Sequence, residues 1–128
     1  MRAIADTHAL IWWLQDSAKL PKRWRDAFDD GANDIRMSGV TLYEVRWKAT
    51  LEKLPEAPRI IAALEQIIRD GDTPVLPISG DHAATAGSLP AIHRDPFDRL
   101  LAAQAIVEGL EIVSKDEKLS ALGAKRLW

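Results

Sequence analysis

Apolar and polar positions alternate in blocks along the chain. Ala3-Ile4-Ala5 is a short apolar run that ends at Asp6-Thr7, and Ala9-Leu10-Ile11-Trp12-Trp13-Leu14 follows at once. Those run lengths, with a polar cap between them, predict a buried strand and then a short helix. Leu20 to Phe28 predicts a second helix, with Pro21 near its start and Asp29-Asp30-Gly31 stopping it. Ile35 to Met37 predicts a brief second strand. From Thr41 to Leu54 the apolar residues Tyr43, Trp47, Leu51 and Leu54 recur three or four apart, the spacing of a helix with one apolar face. Pro55 and Pro58 are expected to end it.

The second half repeats the alternation. Ile60, Ile61, Leu64, Ile67 and Ile68 predict an amphipathic helix closed by Gly71. Val75 to Ile78 predicts a third strand, and Asp81 to Ala86 a short helix. Pro96 to Val107 is apolar almost all the way round, the pattern of a helix buried on most sides. After Gly109 come a strand at Ile112-Val113, a helix from Asp116 to Leu122, and a last strand at Arg126 to Trp128. Short strands separated by helices imply a mainly parallel sheet covered on both faces. The expected fold is a three-layer α/β/α domain spanning residues 1–128.

Composition narrows the function. The chain has 128 residues, 47% hydrophobic and 28% charged, which is the balance of one globular domain. Its net charge of -2 argues against a protein that coats nucleic acid through overall basicity. It has no cysteine, which excludes disulfides, thiolate zinc sites and cysteine nucleophiles. Ile60 to Ile68 is interrupted by Glu65 and Gln66 and is too short to span a bilayer. Asp6 and His8 break any apolar stretch of a signal peptide. A cytoplasmic protein without a membrane partner is expected.

Four carboxylates fall where an open parallel sheet places its sites, beyond the carboxyl ends of the strands. Asp6 ends the first strand, Glu44 and Asp98 lie in first turns of helices, and Asp116 follows the fourth strand. Each also suits a structural role. Thr41 to Glu44 matches a capping box, with Lys48 as an i,i+4 partner for Glu44. Asp95-Pro96-Phe97-Asp98 matches an Asp cap, a first-position proline and an acid at the positive helix end. Asp6 and Asp116 also suit helix caps. Asp6, however, stands between two apolar runs, a costly place for a lone charge, and Asp98 shares a helix face with Leu101, Ala102 and Ala105. Acids converging without matching Lys or Arg would repel one another unless a divalent cation lay between them. Oxygen ligands suit Mg²⁺ or Mn²⁺.

Three stretches carry a resemblance. Asp6-Thr7-His8-Ala9-Leu10-Ile11-Trp12-Trp13, Ser38-Gly39-Val40-Thr41-Leu42-Tyr43-Glu44 and His93-Arg94-Asp95-Pro96-Phe97-Asp98-Arg99-Leu100-Leu101-Ala102-Ala103-Gln104-Ala105 resemble the PIN domain, and most of all the VapC toxins of type II toxin-antitoxin modules. Val113-Ser114-Lys115-Asp116 is similar to the family's fourth acidic motif. The resemblance spans essentially the whole chain. It implies a ribonuclease whose Asp6, Glu44, Asp98 and Asp116 bind Mg²⁺ or Mn²⁺ and cut RNA, with Asp95 helping from behind. It also implies a cognate VapB-type antitoxin. Its carboxyl-terminal segment would cover an apolar groove beside the acids, near Trp12, Trp13 and Trp47. A homodimer is the expected assembly.

The chemistry expected of such a site is hydrolysis by an activated water attacking in line, leaving 5′-phosphate and 3′-hydroxyl ends. Thr7 and Ser114 adjoin the acids and suit either helix capping or phosphate contact. His8 is not assigned as a base; a hydrogen-bonded, partly buried ring or a substrate contact fits it as well. His82 and His93 lie in polar stretches and read as exposed, and no Gly-x-Ser-x-Gly elbow or phosphate-binding glycine loop is present. Two small basic clusters, at Lys19 to Arg25 and at Arg46, Lys48 and Lys53, suit solvated helix faces or RNA guidance. The alternatives are a receiver-like signalling domain and an interaction module whose acids are all caps. The first needs an Asp on the third strand, where Val75-Leu76-Pro77-Ile78 has none.

Overall fold

A computed structural model describes residues 1–128. Five strands, β1 (Arg2–Ala5), β2 (Asp34–Ser38), β3 (Val75–Leu76), β4 (Glu111–Val113) and β5 (Arg126–Leu127), form one sheet in the order β3-β2-β1-β4-β5. Every pairing is parallel, and β1 runs between β2 (Ile4 beside Arg36) and β4 (Ile4 beside Ile112). The chain steps outward from β1 to β2 and β3, then crosses back to place β4 on the other side of β1. The reversal opens a crevice at the carboxyl end of β1.

Seven helices cover the sheet: α1 (Thr7–Leu14), α2 (Lys22–Asp29), α3 (Gly39–Thr50), α4 (Ala57–Asp70), α5 (Gly80–Ser88), α6 (Pro96–Glu108) and α7 (Glu117–Ala121). Alternation along the strands divides the core in two. Ile4 and Ile112 face Leu101, Ala102, Ala105, Leu119 and Leu122 of the α6 and α7 layer. Ala5, Ile35 and Met37 face Leu10, Val45, Ile60 and Leu64 of α1, α3 and α4, and Ala3 and Val113 face Ala9, Leu20 and Trp24. The expected three-layer α/β arrangement is therefore what forms. No helix is long and apolar enough to cross a membrane.

Several local expectations are corrected. Helix α3 begins at Gly39 and is capped by Ser38, whose Oγ accepts the Val40 N–H at 2.9 Å; Thr41 is buried inside the helix and forms no capping box with Glu44. Ser38 also donates to the buried Gln104, whose amide donates to the carbonyls of Leu76 and Pro77 at 3.3 Å. Gln104 thus ties α6 to β2 and to the end of β3, which stops at Leu76 rather than Ile78. The apolar stripe of α3 points outward: Tyr43, Trp47 and Leu51 are 61%, 45% and 41% exposed, while Val40, Thr41, Glu44 and Val45 face in. Pro58 starts α4 instead of ending α3. Helix α6 is buried from Leu101 to Ala105, but Ile106 and Val107 reach the surface.

Candidate active site

The crevice at the reversal point is where β1 delivers Asp6. Its carboxylate caps α1, accepting the Ala9 N–H at 2.6 Å, and is 9% exposed. Ser38 ends β2 and starts α3, which turns Glu44 inward, 8% exposed, with Lys48 Nζ 2.7 Å from Oε2. The first turn of α6 supplies Asp98, whose Oδ2 lies 2.7 Å from His93 Nε2. Asp116 follows β4 and caps α7 by accepting the Lys118 N–H at 3.0 Å. These four side chains line one depression of about 230 Å³, together with Asp95 and His93.

Asp6 takes hydrogen bonds from the Ala9 N–H and the Ser114 hydroxyl, whereas the other three acids are each held by one oxygen. In Glu44, Asp98 and Asp116 the other oxygen has no hydrogen-bonding partner in the protein. Asp95 is engaged as the cap of α6, accepting the Phe97 N–H at 2.9 Å. Thr7 Oγ1 and Thr41 Oγ1 stand 3.1 Å apart and pin α1 to α3 beneath the acids, and Ser114 Oγ accepts the Asp116 N–H at 3.0 Å. The three hydroxyls thus serve the frame of the site, and that of Ser114 also bonds the Asp6 carboxyl.

Electrostatics in the depression are unfavourable to the bare acids. Burial pushes the Asp6 carboxyl up; the Ser114 hydroxyl, the Ala9 N–H and His8 oppose that shift, and the charge of Asp98 adds to it. Burial likewise raises Asp98, against the hydrogen bond from His93, while Asp95 and Asp116 push it further up. A divalent cation would relieve this repulsion. No group of three such side chains converges tightly enough to hold a bare ion. The oxygen donors instead fit a hydrated one, since Mg²⁺ keeps several waters and takes one or two carboxylates directly.

Some of the site was not anticipated. The Lys48–Glu44 pair expected from the sequence forms, and Lys118 also lines the depression, so the acids are not without cations. His93 is not exposed; its side chain is 14% accessible and bonds Asp98. His82 is buried too, accepting the Ser79 N–H at 2.9 Å through Nδ1 and lying 2.8 Å from Glu108 through Nε2. His8 is exposed and tilts against Trp12 at 5.9 Å. The signal for His93 was its spacing, five residues ahead of Asp98 across the Pro96 helix start. Trp13 stacks on Phe28 at 5.1 Å and donates to Asp29, so it lies against α2. Trp47 is the tryptophan left in solvent on α3.

This set of strand-end acids on a parallel sheet of five strands defines a small α/β domain with a polar site at its switch point. A family model for the PIN domain matches residues 3–125, and the chain belongs to that family. It is 30% identical over 117 residues to Ribonuclease VapC22 of Mycobacterium tuberculosis, covering 91% of this chain and 88% of that one. Solved structures share its fold, among them two DNA-bound complexes. DNA-bound VapBC from Salmonella typhimurium matches with TM-score 0.75 and 23% identity, covering 100% of this chain and 97% of that one. VapBC2 from Rickettsia felis, bound to a DNA fragment from its promoter, matches at 0.74 and 18%, covering 99% and 98%.

Proposed function

We propose that the protein is a ribonuclease toxin of the VapC kind, dependent on Mg²⁺ or Mn²⁺ and neutralised in the cytoplasm by a VapB-type antitoxin. The observation that carries this reading is the meeting of Asp6, Glu44, Asp98 and Asp116 in one depression, with one oxygen of Glu44, Asp98 and Asp116 left without a protein partner. Ribonuclease VapC22 and the VapBC complexes are the relatives that support it.

Asp6, Glu44, Asp98 and Asp116 would hold the ion, which supplies an activated water and neutralises charge growing on the phosphate. The protein contributes position. The Ala9 and Lys118 amides fix Asp6 and Asp116, Lys48 steadies Glu44, and His93 orients Asp98. Lys115 and Lys118 stand at the rim, where cations draw a polyanion toward an acidic centre.

A groove of about 420 Å³ beside the site suits the antitoxin. Ile11, Val45, Leu54 and Ile60 give it apolar walls, and Lys19, Lys48 and Lys53 edge it. A segment with an apolar face and acidic flanks fits that lining. The outward stripe of Tyr43 and Trp47 on α3, with Leu51 just beyond its end, is the surface on which a second copy of the chain would pack.

The test is incubation of purified, partner-free protein with total RNA, with Mg²⁺ and with EDTA, followed by mapping of the ends. Cleavage only with metal, leaving 5′-phosphate and 3′-hydroxyl ends, is expected. Intact RNA in every sample rejects the reading.

A further inference from the structure

Asp6 and Asp116 face a second hollow as well as the acidic depression. It measures about 570 Å³, and its remaining walls include His8, Trp12, Lys115 and Trp128. The aromatic wall is backed by the core. Trp12 meets Trp128 edge-on at 6.0 Å, and Trp128 leans on the buried Trp24 at 6.2 Å. The Lys115 ammonium lies over the Trp12 ring, 4.9 Å from its centroid. A long, charged side chain therefore covers an indole that shares this hollow with two candidate catalytic acids.

The lining states what fits. A flat apolar group is needed for the indole, and an anionic group for Lys115 and Lys118; Glu117, also on the rim, disfavours a second anion there. The two groups must belong to one ligand, since the indole and the lysines line the same hollow. A nucleotide has that form, with its base and its phosphate linked through one sugar. A cationic peptide would meet the two lysines instead of the phosphate they suit.

We propose that this hollow is a nucleobase subsite. An unpaired base beside the scissile phosphate stacks on Trp12 in the place Lys115 now covers, and the Lys115 ammonium moves to the phosphate. Base-on-indole stacking is tolerant of base identity because every base offers a π-face. A base inside a duplex is already stacked on its neighbours and is not free to enter. The inference rests on the ribonuclease reading above and adds where the base beside the cleaved bond sits.

The experiment uses the wild-type protein, Mg²⁺ and a short single-stranded RNA that it cuts. A single abasic residue is placed in turn at each position around the cleaved bond, and kcat/KM is measured for each. One position adjoining the bond should lose about tenfold or more, with small effects elsewhere. Trp12→Ala should slow the unmodified RNA by a similar factor and abolish the penalty of the abasic residue, while Trp12→Phe should keep part of it. Because Trp12 also packs on Trp128, the abasic series on unaltered protein decides the matter if Trp12→Ala does not fold. Cleavage indifferent to the abasic position overturns the subsite and leaves the ribonuclease reading intact; no cleavage of any RNA overturns that reading itself. Trp12→Ala that cleaves normally, keeps the abasic penalty and loses its antitoxin assigns the hollow to a partner protein and overturns the proposal.

Discussion

His93 Nε2 stands 2.7 Å from Asp98 Oδ2, so the segment before α6 orients an acid on the first turn of α6. Arg99, the next residue along, fixes that segment. Its guanidinium donates to the carbonyls of Pro90 and His93 through Nη1 and of Ala86 and Leu89 through Nη2, at 2.7 to 3.0 Å. One side of the depression is thereby built from α6 outward.

Removing the imidazole should loosen Asp98 without removing it. His93→Ala is expected to lower kcat by about tenfold or more, the size typical of lost support behind a metal ligand, with a smaller change in KM. His93→Gln, which can still donate to the carboxylate, should recover part of the loss. Equal rates in His93→Ala and wild type, measured under saturating RNA, would remove His93 from the site.

Asp6→Asn and Asp98→Asn each delete a charge and almost no volume. Both should abolish RNA cleavage while the circular dichroism and melting remain those of a folded protein. Asn caps helices about as well as Asp, so α1 should survive the change at Asp6. Activity near wild type in either purified variant argues that the residue is not a ligand.

The raised carboxyls carry a pH signature. Asp6 and Asp98 hold their protons more tightly in the folded state than in the unfolded chain. Their contribution to stability is therefore fully present below the ordinary carboxylate range, about pH 4, and is lost as pH rises through the raised values. In EDTA at neutral pH, Asp98→Asn should melt above wild type, and the gap should close on acidification. Mg²⁺ at about 100 times its dissociation constant should stabilise wild type by about 2.7 kcal/mol, and Asp98→Asn by much less. Melting curves offset equally at every pH, or shifted equally by metal, would contradict this account.

Toxicity and its relief test the groove. Expression alone should arrest growth, and coexpression of the neighbouring small gene should restore it. Leu54→Asp places a charge on the apolar wall, away from the four acids. It should keep RNase activity yet weaken antitoxin binding by about tenfold or more, roughly 1.4 kcal/mol. Calorimetry returning an unchanged affinity would put the antitoxin on another surface, with the exposed Trp47 the next residue to alter.

The alternation of strands and helices was legible because each short strand is an unbroken apolar run between polar caps. Asp6 and Asp116 were legible for a related reason, since they punctuate those runs. The face of α3 was not. Its inward side carries Thr41, Glu44 and Lys48, which serve the depression, so the usual rule of apolar residues inside fails there. Tyr43 instead meets Phe97 across the surface at 5.5 Å. His82 and His93 misled because their burial depends on Glu108 and Asp98, partners fixed by the packing of α5 and α6. The hollow beside Trp12 depends on Trp128, more than a hundred positions away, and no local pattern announces that contact.

Two of the four acids also start helices, Asp6 for α1 and Asp116 for α7. Selection against a harmful enzyme therefore meets an asymmetric landscape at those positions. Truncation to Ala forfeits a cap worth about 1 kcal/mol along with the charge, and invites degradation of the chain. Replacement by Asn exchanges one oxygen for an amide nitrogen and leaves the helix start in place. A silenced chain of that second sort would persist as a folded decoy, still able to occupy the antitoxin and so release its active siblings.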